Sequence, residues 1–346
     1  MTRLLALLAV LLVVVLTGCG TDDKSSPSSG AASSSASDKG DGTLTIYSGR
    51  SEDLVGPLLD TFEKQSGIEV KVRYGESAEL AATIAEEGEN SPAEVFFSQD
   101  AGALGAVAEA GLLAQVNSGQ VDRRWVGADE RWVGTSGRAR VVAYSTERVK
   151  KTDLPDTIFD FTQPEWKGRI ALAPTNASFQ AFVSAMRLSA GDKRTQAWLE
   201  GIKANDPTLL DGNSDVVKAI NSGEVDVGLV NHYYVYELEA ETPGLKVANH
   251  FLKSGDPGSL VNVAGVGALK TGDAGESARL VTFLLSDEAQ AYFAEKTFEY
   301  PLTGLTQPPD RLPPLTDLQG PAIELGELGE ALPETTRLID EVGLGA

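Results

Sequence analysis

The residues best equipped for chemistry in this 346-residue chain are two adjacent phenols, Tyr233 and Tyr234, in the stretch VNHYYVYE at 230–237. The chain holds only eight tyrosines, and this pair is flanked by Asn231 and His232 and followed by Tyr236. Adjacent aromatics either fill space or present two phenol oxygens to one ligand, and the residue types alone leave both readings open. A free tyrosine titrates near pH 10, so ionising one at pH 7 costs about 3 units, or roughly 4 kcal/mol. A hard, highly charged cation can offset that cost twice in one place. Oxygen ligands suit such ions, and the ferric ion is the abundant trivalent candidate. Binding of this kind releases protons and weakens in acid.

Other chemistries find little material. There are two histidines, His232 and His250, and one cysteine, fewer than a zinc site normally draws on. No HExxH, GxSxG or GxxxxGK[ST] motif occurs. The KTG at 270–272 lacks an SxxK companion, and no carboxylates form an isolated pair in an apolar setting. An enzyme is therefore not expected. An anion that completes a phenolate site has three possible seats. TSGR at 135–138 offers a hydroxyl, a glycine backbone and a cation. DGNSDVVKAI starts a helix with Asn213 as its expected N-cap, and PTNAS at 174–178 ends a strand and starts a helix. His232 is expected to point away from Tyr233 on extended backbone, and Tyr236 to pack.

These residues need a frame to hold them. TLTIYSG at 43–49 alternates as a strand, and 51–67 carries helical apolar spacing between Ser51 and Gly67. Strands at 68–75 and 93–99 and helices at 77–90 and 100–115 continue the alternation, which argues for a parallel sheet flanked by helices. The second half repeats it, with strands at 139–145, 168–174, 225–231 and 260–269. Its helices are at 178–191, 192–205 and 213–224, and one long helix is expected over 275–296. Ligands of open α/β sheets bind beyond the carboxyl ends of strands. Tyr47, Gln99, Tyr144, Thr175, Asn231 and Tyr233 all sit at or just past such ends.

The first eighteen residues carry one charge, Arg3, ahead of a long apolar run that ends in LTGC. That is the pattern of a secretory signal, and small residues before Cys19 resemble a bacterial lipoprotein box. Lipid attachment to Cys19 and membrane anchoring are expected. A lone cysteine cannot form an intramolecular disulfide. Residues 20–41 are rich in Ser, Gly and Ala and read as a flexible tether. About 305 residues remain, which suits two lobes. The formal net charge of −21 is the wrong sign for a nucleic-acid partner.

Several segments together resemble the ferric-ion-binding proteins of bacterial iron ABC transporters: IYSGR, SPAEVFFSQDAGAL, GTSGRARVVAYSTERV, PEWKGRIALAPTNASF, GNSDVVKAINSGEVDVGLVNHYY and EYPLTG. The resemblance covers nearly all of 42–346. It implies the α/β, two-lobed type II periplasmic-binding-protein fold, each lobe a mostly parallel sheet flanked by helices, with the ligand in the interlobe cleft. Lobe 1 would comprise 42–140 with 264–304, and lobe 2 would comprise 141–263 with 305–346. Crossing strands are expected near 138–143 and 260–268. The resemblance further implies that Tyr233 and Tyr234 ligate Fe(III), with Tyr144 as a third phenolate. Ser136, Gly137, Arg138, Asn213 and Asn231 would hold a synergistic carbonate or phosphate. A monomer would deliver the ion to an ABC transporter permease. Many members have a histidine in the first strand–helix loop, where this chain has Arg50-Ser51, and a glutamate after the third strand, where it has Gln99-Asp100. These four residues and Thr175 are cleft candidates. The alternative is a binding protein of the same fold for an oxyanion, a polyamine or a sugar phosphate.

Overall fold

A computed structural model of the chain describes residues 42–304 and 306–345. The apolar leader at 1–18, Cys19 and the tether at 20–41 lie outside the described residues. The first lobe opens with β1 (Thr43–Ser48), α1 (Glu52–Ser66), β2 (Glu69–Tyr74), α2 (Ser77–Glu87), β3 (Val95–Ser98) and α3 (Ala101–Glu109). Local chemistry fixes these boundaries. Gly67 takes φ 73° and closes α1 by donating to Glu63 O, a left-handed cap that glycine adopts without penalty. Asp100 caps α3 by accepting from Ala103 N. Gly49 must lack a side chain, because a Cβ there would lie 1.9 Å from Ser77 Oγ.

A long strand, β4 (Val133–Ser145), leads to β5 (Ile170–Leu172), α4 (Ala177–Ala190), α5 (Asp192–Ala204), β6 (Thr208–Leu209), α6 (Asn213–Ser222), β7 (Val227–Asn231), α7 (Tyr233–Glu241) and β8 (Val247–His250). The chain then returns through β9 (Val261–Ala268), α8 (Ala274–Leu284), α9 (Asp287–Glu295), β10 (Tyr300–Pro301) and α10 (Glu327–Val342). The single helix expected over 275–296 is two helices. Ser286 interrupts it by accepting from Ala289 N as an N-cap, with Asp287 and Glu288 in the new first turn. A capping hydroxyl followed by carboxylates favours a fresh start over continuation.

The strands run in the order β2-β1-β3-β9-β4-β7-β5-β6, with β8 and β10 also paired to β4. The outer pairs, β1–β2, β1–β3, β5–β6 and β5–β7, are parallel. The central ones, β3–β9, β4–β9 and β4–β7, are antiparallel. The sheet is thus mixed rather than mostly parallel, because the crossing strands run against their neighbours. β4 is the hinge of this arrangement. Its first half, through Ala139, pairs with β9, and from Arg140 to Tyr144 it pairs with β7. Its thirteen residues are all buried, as expected of a strand covered on both faces.

The last helix, α10, ties the two halves together. On one side Gly102 and Gly105 of α3 meet Gly326 and Gly329: a Cβ on Gly105 would approach Gly326 O to 2.4 Å. On the other side Thr335 shares a 2.8 Å hydrogen bond with Ser184 of α4, and Arg187 donates to Ala331 O at 2.8 Å.

Candidate functional site

The switch point of β4 opens onto a cleft of about 330 Å³. β7 ends at Asn231 opposite Arg140, and His232 starts α7 with helical angles (φ −58°, ψ −34°). The turn from strand to helix sends Tyr233 and Tyr234 into the cleft. Their rings lie 4.3 Å apart between centroids at 31°. Burial, and next the neighbouring Tyr234 charge, push the Tyr233 phenol well above its ordinary value, against the pull of Arg138.

His232 does not take the extended backbone expected of it. Its ring is wholly buried, edge-on to Tyr233 at 5.9 Å. Nδ1 accepts from Ala139 N at 3.1 Å and Nε2 faces Phe298 O at 2.9 Å. The two bonds define the neutral ring with its proton on Nε2, and burial pulls its pKa down to about 4. His232 therefore locks the start of α7 to β4. Tyr236 packs as expected, beneath the Arg311 guanidinium at 4.3 Å.

Facing the phenols is a cationic, hydrogen-bonding wall that sequence reading missed in its centre, Arg140. This side chain is 4% exposed and forms no ion pair among the described residues. Its nitrogens donate to Ser178 Oγ (3.1 Å), Asn231 Oδ1 (3.3 Å), Asn213 Oδ1 (3.4 Å) and Leu229 O (3.0 Å). Burial depresses its pKa to about 9, with the two phenols opposing. Asn176 caps α4, accepting from Ser178 N at 3.0 Å and from Asn213 Nδ2 at 2.9 Å. The starts of α4, α6 and α7 thus converge near one buried guanidinium, and helix N-termini favour anions. Arg138 and Arg140 are two apart on a strand and so share a face, which was the available signal.

Several expected site residues lie elsewhere. Tyr144 is four residues beyond Arg140 and pairs with Val227, at the opposite end of β7 from Asn231. At about 3.3 Å per residue it is separated from Arg140 by roughly 13 Å along the strand, and it packs in the main core. It is not a third phenolate of this cleft. Ser136 and Gly137 are buried in β4 beside its partner β10; the Ser136 hydroxyl donates to Glu299 at 3.1 Å, and neither residue lines the cleft. Asn213 is in the wall, but Gly212, not Asn213, occupies the N-cap of α6. Arg50 is 1% exposed and engages Glu299 with two bonds of 2.8 and 2.7 Å. It is a structural ion pair outside the cleft lining. Asp100 and Gln99 line the cleft with Ser51, although the Asp100 carboxylate is occupied in capping α3. Thr175 is exposed and outside the lining. Arg138 lines the cleft, donates to Gln99 O and lies 3.8 Å from Glu299.

Among the described residues no three His, Cys, Asp or Glu side chains are grouped so as to hold a metal ion. One carboxylate in the lining was also missed: Glu237, which burial and then the charge of Glu299 raise to about 7.

Residues 90–318 match the family described as bacterial extracellular solute-binding protein. The chain belongs to that family. It is 33% identical over 321 residues to the Fe(3+)-binding periplasmic protein of Serratia marcescens, covering 90% of this chain and 93% of the relative. It superposes on iron-bound HitA from Pseudomonas aeruginosa with a TM-score of 0.81 at 34% identity, over 87% of this chain and 99% of that one. The Trichodesmium protein IdiA (FutA), solved with iron and citrate, gives a TM-score of 0.76 at 28% identity, over 87% and 99%. This is a family of solute-binding proteins rather than of enzymes. Among the described residues no helix is long and apolar enough to cross a membrane.

Proposed function

We propose that the protein captures Fe(III) in the β4 cleft through the Tyr233 and Tyr234 phenolates and a synergistic oxyanion, carbonate or phosphate. It then passes the ion to an ABC transporter permease. The observation that carries this reading is the pair of neighbouring phenols facing a buried, carboxylate-free Arg140. Two phenolates of low intrinsic acidity need a strongly charged cation, and Arg140 with the α4 start, Asn213 and Asn231 can hold the anion that completes its shell. The similarity to proteins named for ferric iron supports the choice of metal.

The chain's amino-terminal pattern supports anchoring through a lipid on Cys19, with a monomer reaching the permease at the outer face of the membrane. The lobes would divide at the Ala139–Arg140 step of β4, with α10 belonging to both.

Loading with a ferric salt should give a visible phenolate-to-iron band near neutral pH, lost on acidification or citrate challenge. Tyr233→Phe should remove most of it. A colourless wild type after loading, with Tyr233→Phe no different, would overturn the assignment. The competing reading is a binder of a free oxyanion or sugar phosphate, favoured by the same Arg140 wall. Stabilisation by phosphate alone, with none from ferric salts, would select it. A polyamine is disfavoured, because Arg138 and Arg140 would repel it.

A further inference from the structure

The phenols do not stand alone on α7. An α-helix turns about 100° per residue, so with Tyr233 at 0° and Tyr234 at about 100°, Glu237 falls at about 40°, between them and one turn further on. Side chains on a helix lean back toward its N-terminus, which brings the Glu237 carboxylate toward the two phenol oxygens. Val235 and Tyr236 fall on the other side and are buried in packing. The cleft lining contains Tyr233, Tyr234 and Glu237 together. The other two carboxylates at the cleft differ: Asp100 caps α3, and Glu76 is exposed just before α2. Glu237 is half-buried, its carboxylate is shifted by burial and neighbouring charges with no hydrogen bond among the causes, and neither of its oxygens is among the buried unpartnered atoms. Its oxygens therefore face the cleft without a protein donor and are free to meet a bound cation.

We propose that Glu237 supplies a carboxylate oxygen to the cation gripped by Tyr233 and Tyr234, so that one face of α7 provides three of its ligands. This rests on the Fe(III) reading above. It makes the second lobe's contribution an O-only triad of two phenolates and a carboxylate, suited to a hard trivalent ion. The cation would then be seated on one lobe before the other closes.

The test uses the full chain loaded with ferric salt, comparing wild type with Glu237→Gln, Glu237→Asp and Glu241→Gln. Glu241 is exposed in the last turn of α7, so its variant removes the same charge from the same helix without touching the cleft. The readouts are the wavelength of the visible band and the citrate concentration that halves it. Glu237→Gln should keep a band from the phenolates but shift it, and should release iron at citrate levels at least about tenfold lower, the smallest effect expected even of an outer-shell partner. Glu237→Asp should recover part of the resistance, and Glu241→Gln should match wild type. A wild-type band with Glu237→Gln equal in wavelength and citrate resistance would overturn this proposal while leaving the Fe(III) reading intact. Equal weakening in Glu237→Gln and Glu241→Gln would also overturn it, in favour of net charge. No band in wild type would overturn the Fe(III) reading itself. Unloaded Glu237→Gln should melt like wild type, because the amide is isosteric and breaks no hydrogen bond.

Discussion

Replacing Arg50 by methionine should damage the fold before it damages binding. The guanidinium is buried and holds Glu299 by two short bonds. Burial works to raise the Glu299 carboxyl, yet Arg50, with Arg138 and Thr297 behind it, holds it below the usual range. Arg50→Met therefore leaves a charged carboxylate inside the protein at pH 7. Removing one partner of a buried pair costs about 3–5 kcal/mol. Glu299 retains hydroxyl donors in Ser136 (3.1 Å) and Thr297 (2.9 Å) and Arg138 at 3.8 Å, which places the loss near the lower end, about 3 kcal/mol. The double variant Arg50→Met/Glu299→Leu removes the orphaned charge. It should recover part of the loss, the remainder being the Ser136 hydroxyl and the buried Arg138 guanidinium, both of which lose Glu299. Urea unfolding of the unloaded protein at pH 7, run on wild type, the single variant and the double variant, gives both quantities. A loss below about 1 kcal/mol in Arg50→Met, or a double variant less stable than the single, would refute the assignment of Arg50 to structure and return it to the cleft.

Three further outcomes follow from the same geometry. Tyr144→Phe should leave the iron-dependent visible spectrum unchanged, since that phenol lies at the far end of β7; a lost or shifted band would contradict this placement. His232 is held neutral with its pKa near 4, against about 6.5 in an unfolded chain. On unfolding below pH 6.5 it takes up a proton, so stability should fall by up to about 3 kcal/mol as pH drops from about 6.5 to about 4. His232→Phe should flatten that part of the unloaded protein's pH–stability curve while lowering stability at pH 7. Gly105→Ala should destabilise by about 1–3 kcal/mol through overpacking, read by thermal melting, because its methyl would press on Gly326 O.

Much of the frame was legible because it is written in local chemistry. Alternation and helical spacing located β1, α1, β2 and β7 to within a residue or two, and the Tyr233–Tyr234 pair was placed correctly just past a strand end. What escaped was non-local or positional. The partner of Arg50 is Glu299, 249 residues away, and no sequence window contains both. The Arg140 wall is assembled from β4, α4, α6 and β7, so its central residue looked like any alternating strand position. Tyr144 could have been set aside by counting. Six residues of extended chain separate it from Arg138, about 20 Å, too far for both to serve one ion and its anion. Glu237 was equally countable, as Tyr233 plus one helical turn. The expected helix over 275–296 ignored a plain stop-and-start signal at Ser286-Asp287-Glu288.

The pairing of β3 with β9 joins Val95 to Ala268, and α10, the last helix of the chain, locks onto α3 near the beginning. The first lobe's sheet is therefore completed by a strand that follows β4 to β8 in sequence, and the helix that latches it follows later still. Contacts of such long sequence separation form slowly. Were the amino-terminal pattern to act as the export signal it resembles, closure this late would leave the chain threadable through a translocation channel.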